Sequence, residues 1–276
     1  MVTQEQKGRV FRALHERDHA FIIPNPFDIG TARILAHMGF EALASTSMGY
    51  AFTMGRPDYG LERDEILAHL KLLASATDLP VSADLENGFG DDPQTVAETI
   101  RLAGATGIVG GSIEDATGRE EAPIYPIEVA VERVRAASLS ARSLPFTFTL
   151  TARCENYLHD RPDIHDTIAR LRAYEEAGAD VLYAPGLATR EDITAVVNAL
   201  QRPVNVVMGL RGVQLSHADL SAIGVKRISV GSSLSRAALG AFVRAAQEMK
   251  EYGTFTYAGD AAPASTITEI FSSSPT

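Results

Sequence analysis

Four short segments carry residues whose types and spacing could do chemistry. PVSADLENGFG holds Asp84 and Glu86 two residues apart, so both side chains face one way if an extended strand runs that far. GIVGGSIEDA closes on Glu114 and Asp115. A hard cation such as Mg2+ takes a few carboxylate oxygens and keeps several waters, and acids on adjacent strand ends can supply that set; acids at strand ends also serve as plain loop caps. FTLTARCEN sets Arg153 beside these carboxylates. Its forked guanidinium could grip a substrate carboxylate, or could merely neutralise the acids by pairing with Glu114 or Asp115. Ser45, Thr46, Ser47, Met48 and Gly49 follow another β-rich run. Small hydroxyl residues before a glycine turn can offer backbone N–H groups to an anion, or form an ordinary turn.

Other residues carry weaker signals. Tyr50, Tyr125 and Tyr183 fall near strand ends and could give a proton, or could simply pack as wall residues. The seven histidines show no HxH or HExxH spacing and none closes a strand; His159, in the loop after Arg153, is the one candidate among them, or else a solvated loop residue. Cys154, the single cysteine, reads as a small buried residue; it cannot form an internal disulfide, and a CxxC site is excluded. Gly231-Ser232-Ser233 could bind phosphate after the last strand or cap a helix. Gly107 to Gly111 lacks the Gly-Lys-Ser/Thr end of a phosphate loop.

Positioning such residues at one rim requires a particular order of elements. Eight β-rich runs, at residues 20–24, 42–46, 80–84, 108–114, 146–153, 181–184, 204–207 and 227–230, alternate with amphipathic stretches such as 62–76 and 167–177. Glycines at Gly39, Gly104 and Gly178 end several of these stretches, as left-handed helix caps do. Eight βα units in about 250 residues predict a (β/α)8 TIM barrel, with a doubly wound open sheet as the competing arrangement. Residues 1–252 read as one barrel domain. Residues 253–276 shift to small and hydroxylated residues and read as a C-terminal arm or tail, disordered or laid on a neighbouring subunit.

Composition narrows the partners. The 276 residues carry 25 Lys+Arg against 35 Asp+Glu, a net charge of −10, with no basic cluster to neutralise phosphates, which speaks against nucleic acid. Apolar content of 45% and charged content of 22% suit a globular domain. No apolar run approaches the roughly 20 residues that span a bilayer, and the N-terminus lacks a signal-peptide core. The expectation is a soluble cytoplasmic protein that does not engage membranes.

Taken in order, PNPFDIGTARILAHMGFEALASTSMGYA, GRPD, PVSADLENGFG, IEDA, TARCEN and AYEEAGADVLYAPG resemble the isocitrate lyase / phosphoenolpyruvate mutase superfamily over residues 21–239. The resemblance implies a (β/α)8 barrel whose last helix is exchanged between subunits of a homodimer or homotetramer. It also implies a Mg2+-dependent site for a small 2-oxo acid or its enolate. By the same resemblance Asp84, Glu86 and Glu114 are the metal-site acids, with Glu86 where many members have Asp, and Asp58 orders the metal's water shell. Thr46, Ser47 and Met48 cradle the substrate carboxylate and oxo oxygen, Arg153 binds the carboxylate, and Asn205 contacts substrate near the seventh strand.

The sequence also departs from that pattern. Lyases of the superfamily carry a Lys-Lys-Cys-Gly-His-type motif on a mobile loop after the fourth strand, whereas here ATGREEAPIYPIEVAVERV follows Asp115 and a helix starts after about ten residues. The Lys and Asn-Ser elements of phosphonopyruvate mutases or hydrolases are absent as well. Isocitrate-type cleavage is therefore disfavoured. The expected function is Mg-dependent carbon–carbon chemistry, of lyase or decarboxylase type, on a 2-oxo carboxylate or dicarboxylate. P–C bond chemistry and a non-catalytic 2-oxo acid binder are the alternatives.

Overall fold

Each of the eight β-rich runs contains a strand. The computed structural model of the chain describes residues 2–210 and 214–272, so the last four residues of the expected arm lie outside the described residues. The strands are β1 Phe21–Ile23, β2 Leu43–Ala44, β3 Val81–Asp84, β4 Gly110–Glu114, β5 Thr149–Arg153, β6 Val181–Tyr183, β7 Val204–Val207 and β8 Arg227–Ser229. All pair in parallel in the order β1-β8-β7-β6-β5-β4-β3-β2. Pairing of the last strand with the first excludes the open doubly wound sheet. Between β1 and β2 there is no ladder, and the seam is closed by Ala44 N–H donating to Pro24 O at 3.1 Å.

The helices are α1 Gln4–His15, α2 Ile29–His37, α3 Ser47–Thr53, α4 Arg63–Ser75, α5 Pro93–Gly104, α6 Ile127–Ser143, α7 Ile164–Glu176, α8 Arg190–Ala199, α9 His217–Ile223, α10 Ser233–Tyr252 and α11 Ala264–Ser272. Their starts follow local chemistry. Asp28 and Thr31 form a capping box on α2, Asp92 caps α5 with Pro93 in its first turn, and Asp163 accepts the N–H groups of His165 and Asp166 on α7. Gly39 and Gly178 take positive φ as expected of helix ends; Gly104 does not, because it is still helical and Gly107 makes the left-handed turn instead.

One large core fills the space between the strands and helices α2 to α9. A smaller one closes the base of the barrel, where Phe11 and Leu14 of α1 meet Phe21, Ile23, Ala42 and Val109. Burying a residue such as Phe11 contributes about 1.5–3 kcal/mol. Gly110 makes this plug possible, since a Cβ there would stand 2.8 Å from the Phe11 ring. His15 packs edge-on to Phe11 and Phe21, and burial pushes its pKa down to about 3, so it is neutral.

Two segments leave the barrel pattern. Of the twenty residues of α10 only Ser235 is buried, and Phe242 and Tyr252 stay 70% and 74% exposed. The segment expected to be disordered or laid on a neighbour carries a 3-10 turn, Thr256–Gly259, and then α11, which lies against α2 of its own chain. Arg33 donates there to Phe271 O at 2.7 Å and stacks over the Phe271 ring.

Candidate active site

The C-terminal ends of the strands enclose a cavity of about 560 Å3. Thr46, Ser47, Met48, Asp58, Asp84, Glu86, Glu114, Arg153 and Asn205 all line it. Residues spread over some 160 positions of sequence therefore meet in one place.

Arg153 sits at its centre. It ends β5, is largely buried, and forms ion pairs with three carboxylates: Nε with Glu155 at 2.8 Å, Nη1 with Asp84 at 3.0 Å and Nη2 with Glu114 at 3.1 Å. The pairing with Glu114 was one of the two partners anticipated; Asp115 instead pairs with Arg170 at 3.2 Å, away from the cavity. A guanidinium has five N–H donors, so these three pairs leave it capacity for a ligand.

Asp84 is held from both sides. Its Oδ1 faces Arg153, and its Oδ2 accepts the N–H of Ser47 at 3.1 Å and the Ser47 hydroxyl at 2.9 Å. Ser47 is in position because Thr46 caps α3, its Oγ1 accepting Gly49 N–H at 3.1 Å. The first N–H of α3 thus meets a carboxylate, the favourable sign for a helix N-terminus. Glu86 reaches the cavity differently from the expected alternation: β3 ends at Asp84, and a left-handed turn at Glu86, φ 49°, brings its side chain back to the rim.

The electrostatics are strained by crowding. Burial, then Asp84 and Asp58, raise the pKa of Glu86 to about 8, and burial, then Asp84, raises Asp58 to about 6. Burial drives Glu114 well above the ordinary carboxylate range. Removing several carboxylates from water against few cations is costly, and a divalent cation relieves it. Among the described residues no three His, Cys, Asp or Glu side chains converge as a ready-made cage. Mg2+ does not require such a cage, since it binds through one or two carboxylates and retains its waters. Asp84, Glu86 and Glu114, with Asp58 nearby, are the residues that would hold it.

Other residues of the cavity escaped the sequence reading. Tyr59 follows Asp58 at φ 55° and its hydroxyl donates to Glu114 Oε1. Glu155 and Arg236 line the wall, Arg236 from the first turn of α10 with no ion pair among the described residues. Tyr59 adjoins the GRPD segment and Glu155 lies in TARCEN, but only the folded loops bring Tyr59 to Glu114 and Glu155 to Arg153.

Among the candidate proton donors, Tyr183 lines the cavity beneath the Arg153 guanidinium. Tyr50 instead stacks on His69 at 3.7 Å, and Tyr125 lies under Arg133 with its hydroxyl on Asp91, so both are packing residues. His159 is part of the cavity wall. Cys154 is fully buried and outside the cavity, and burial holds its thiol well above the ordinary range. Gly231 and Ser232 reach the cavity, but the N–H groups of Val230 and Gly231 both donate to Asn25 Oδ1 at 2.9 Å, which occupies donors a phosphate would need. Asn205 is buried, donating to Ser229 and accepting from Arg227.

A β/α barrel with an acidic, arginine-centred pocket at its strand ends is the architecture of an enzyme. A family model described as Phosphoenolpyruvate phosphomutase matches residues 11–250, and the chain belongs to that family. It is a lyase-class enzyme of the isocitrate lyase / phosphoenolpyruvate mutase superfamily. A crystal structure of a provisionally named lyase/mutase from Burkholderia cenocepacia J2315 is 62% identical, with a TM-score of 0.96, covering 98% of this chain and 97% of that one. An oxaloacetate decarboxylase of Pseudomonas aeruginosa PAO1 is 29% identical over 83% of this chain and 80% of its own length. The 2-methylisocitrate lyase of Escherichia coli K12 is 28% identical over 71% and 68%.

Proposed function

We propose that this chain is a Mg2+-dependent carbon–carbon lyase or decarboxylase acting on a small 2-oxo dicarboxylate. The observation that carries the reading is the Arg153 centre: a guanidinium balanced among Asp84, Glu114 and Glu155, with donors to spare, inside a cavity whose crowding raises the pKa values of Glu86 and Asp58.

Bound at the acids, Mg2+ would supply Lewis-acid stabilisation of the negative charge that develops on the 2-oxo oxygen as the adjacent bond breaks. The residues of the chain do the rest. Arg153 receives the carboxylate next to the carbonyl, and Thr46, Ser47 and Met48 fix its orientation, which favours the reactive geometry. Arg236 and His159, which also line the cavity, would meet the second carboxylate. Asn205 and Tyr183 line the cavity, and of the three tyrosines considered from the sequence Tyr183 would deliver the proton. The segment between Glu114 and α6 is short and pinned by a bridge between Ala116 and Ile124. Such a loop suits decarboxylation or retro-aldol cleavage better than chemistry that needs a cysteine on a long mobile lid.

The protein is proposed to act without nucleic acid or membrane; no described helix is long and apolar enough to cross a bilayer. We place it in the cytoplasm, where its free thiol is stable. We further propose a homodimer or homotetramer assembled through α10, whose apolar residues Leu239, Phe242 and Val243 stay exposed among the described residues.

Incubation with oxaloacetate and related 2-oxo dicarboxylates tests the reading. Pyruvate release that stops on chelation and returns with Mg2+ is the expected result. Activity indifferent to chelation, together with no calorimetric binding of oxalate, pyruvate or 2-oxoglutarate in Mg2+, would refute it. Tight oxalate binding with no turnover of any substrate would mark a 2-oxo acid binder instead.

A further inference from the structure

Behind the pocket lies a second carboxylate that the proposed reaction does not use. Asp115 follows Glu114 at the end of β4, is 2% exposed and does not line the cavity. Its Oδ1 accepts the backbone N–H of Glu155 at 2.8 Å. Its Oδ2 accepts the Tyr174 hydroxyl at 2.6 Å and pairs with Arg170 Nη1 at 3.2 Å. Both oxygens are thus used, one by the main chain beside Arg153 and the other by two side chains of α7.

The connections spread from there. The Asp115 N–H donates to Arg153 O at 3.2 Å, and its carbonyl accepts Tyr125 N–H at 2.9 Å. Arg170 donates onward to Tyr125 O at 3.0 Å and to Asp166 at 2.9 Å, and Asp166 accepts from Asn156 at 2.8 Å. One carboxylate therefore joins the ends of β4 and β5, the short segment leading to α6, and α7.

A well-packed apolar group can replace a buried ion pair with little loss of stability, so stability alone is a weak reason for such a cluster. Direction is a better one. Beyond β5 the chain turns into a 3-10 segment, Asn156–His159, and the Glu155 N–H is held by no strand or helix partner, only by Asp115. That N–H lies two residues past Arg153, on the residue whose carboxylate takes Arg153 Nε.

We propose that Asp115 is a positioning residue: through the Glu155 N–H it sets the angle at which Arg153 and Glu155 meet the carboxylate of the substrate. This rests on the reading above that Arg153 receives a carboxylate. Tyr174 and Arg170 hold the Asp115 carboxylate in turn, so their loss acts through the same N–H.

Asp115→Asn and Tyr174→Phe test it with three measurements on each protein: thermal unfolding, hydrogen exchange of residues 153–158, and calorimetric binding of oxalate in Mg2+. Asp115→Asn is expected to speed exchange in that segment while the rest of the barrel stays protected. It is expected to weaken oxalate about tenfold or more at temperatures where the variant is fully folded, the usual size of such indirect effects. Tyr174→Phe is expected to show both changes in milder form. If Asp115→Asn does not fold, Tyr174→Phe decides by the same exchange and binding measurements. A lower unfolding temperature with unchanged exchange and unchanged oxalate affinity overturns the proposal and leaves Asp115 a residue of stability. Wild-type protein that takes up no oxalate overturns the carboxylate role of Arg153 itself, a failure visible before any variant is made.

Discussion

Arg153 sets the charge balance of the pocket, and its removal separates binding from stability. Arg153→Lys keeps a positive charge but cannot reach three carboxylates from one planar fork. It is expected to lower kcat/KM for a 2-oxo acid by 100-fold or more, on the order of 3 kcal/mol of lost orientation, with a small change in unfolding temperature. Arg153→Ala leaves buried carboxylates uncompensated and is expected to destabilise by roughly 3–5 kcal/mol at pH 8, and by less at pH 5, where the acids can take up protons. Denaturant unfolding at the two pH values checks this. The crowded acids predict a second pH effect. With its pKa raised from 4.5 to about 8, Glu86 makes the folded state bind more protons than the unfolded one between those values, so stability falls as pH rises through that window. The buried neutral His15 and His69, lowered to about 3 and about 4, act in the opposite direction, but their effect shrinks above pH 6.5 and is spent by about pH 7.5, so the Glu86 effect prevails toward pH 8. Chelated protein is therefore expected to unfold at lower temperature at pH 8 than at pH 6.5, and Mg2+ to raise the unfolding temperature more at pH 8. An unfolding temperature that is flat or rising over that range contradicts the crowding.

Asn25 shows how an element boundary serves the site. It follows β1, is buried, donates to Ser45 O at 2.8 Å and accepts the N–H groups of Val230 and Gly231. One side chain thus joins the ends of β1, β2 and β8 where the ladder between β1 and β2 is missing. Asn25→Ala leaves two N–H groups and a carbonyl without their partner. The expected cost is about 1–3 kcal/mol in urea unfolding, with weaker oxalate binding because Ser45 precedes the Thr46 cap. Asn25→Asp keeps the two acceptor contacts but loses the donor to Ser45, so it is expected to fall between wild type and Asn25→Ala.

The shape of the molecule leaves α10 as its unfinished part. Leu239, Phe242 and Val243 lie at helical spacing on a helix that contacts its own barrel mainly through α3. A face of that kind is expected to be covered by another copy of the chain. Sedimentation should show a dimer or larger assembly for wild type and a shift toward monomer for Phe242→Glu combined with Leu239→Glu. A wild-type monomer at micromolar concentration contradicts the assembly. Because Arg236 sits in the first turn of the same helix and lines the cavity, the monomeric variant is also expected to bind a dicarboxylate less tightly.

The number and order of the βα units were legible in the sequence because strand and helix periodicities are local, repeating every two or 3.6 residues. So were the strand-end residues Asp84, Glu114 and Arg153, since the end of an apolar run is visible without a fold. What the sequence alone left open was which groups touch. Spacing could not decide between a ligand-gripping Arg153 and one paired to its neighbours; three carboxylates from β3, β4 and the turn after β5 reach it only once the strands are in register. Glu86 and Tyr59 come to the rim through left-handed backbone conformations, which local sequence permits but does not demand. Asp115 looked equivalent to Glu114 as a strand-end acid, yet the strand's alternation and the packing of α7 turn it away from the cavity. These choices depend on contacts between residues far apart in the chain, and such contacts exist only in the closed barrel.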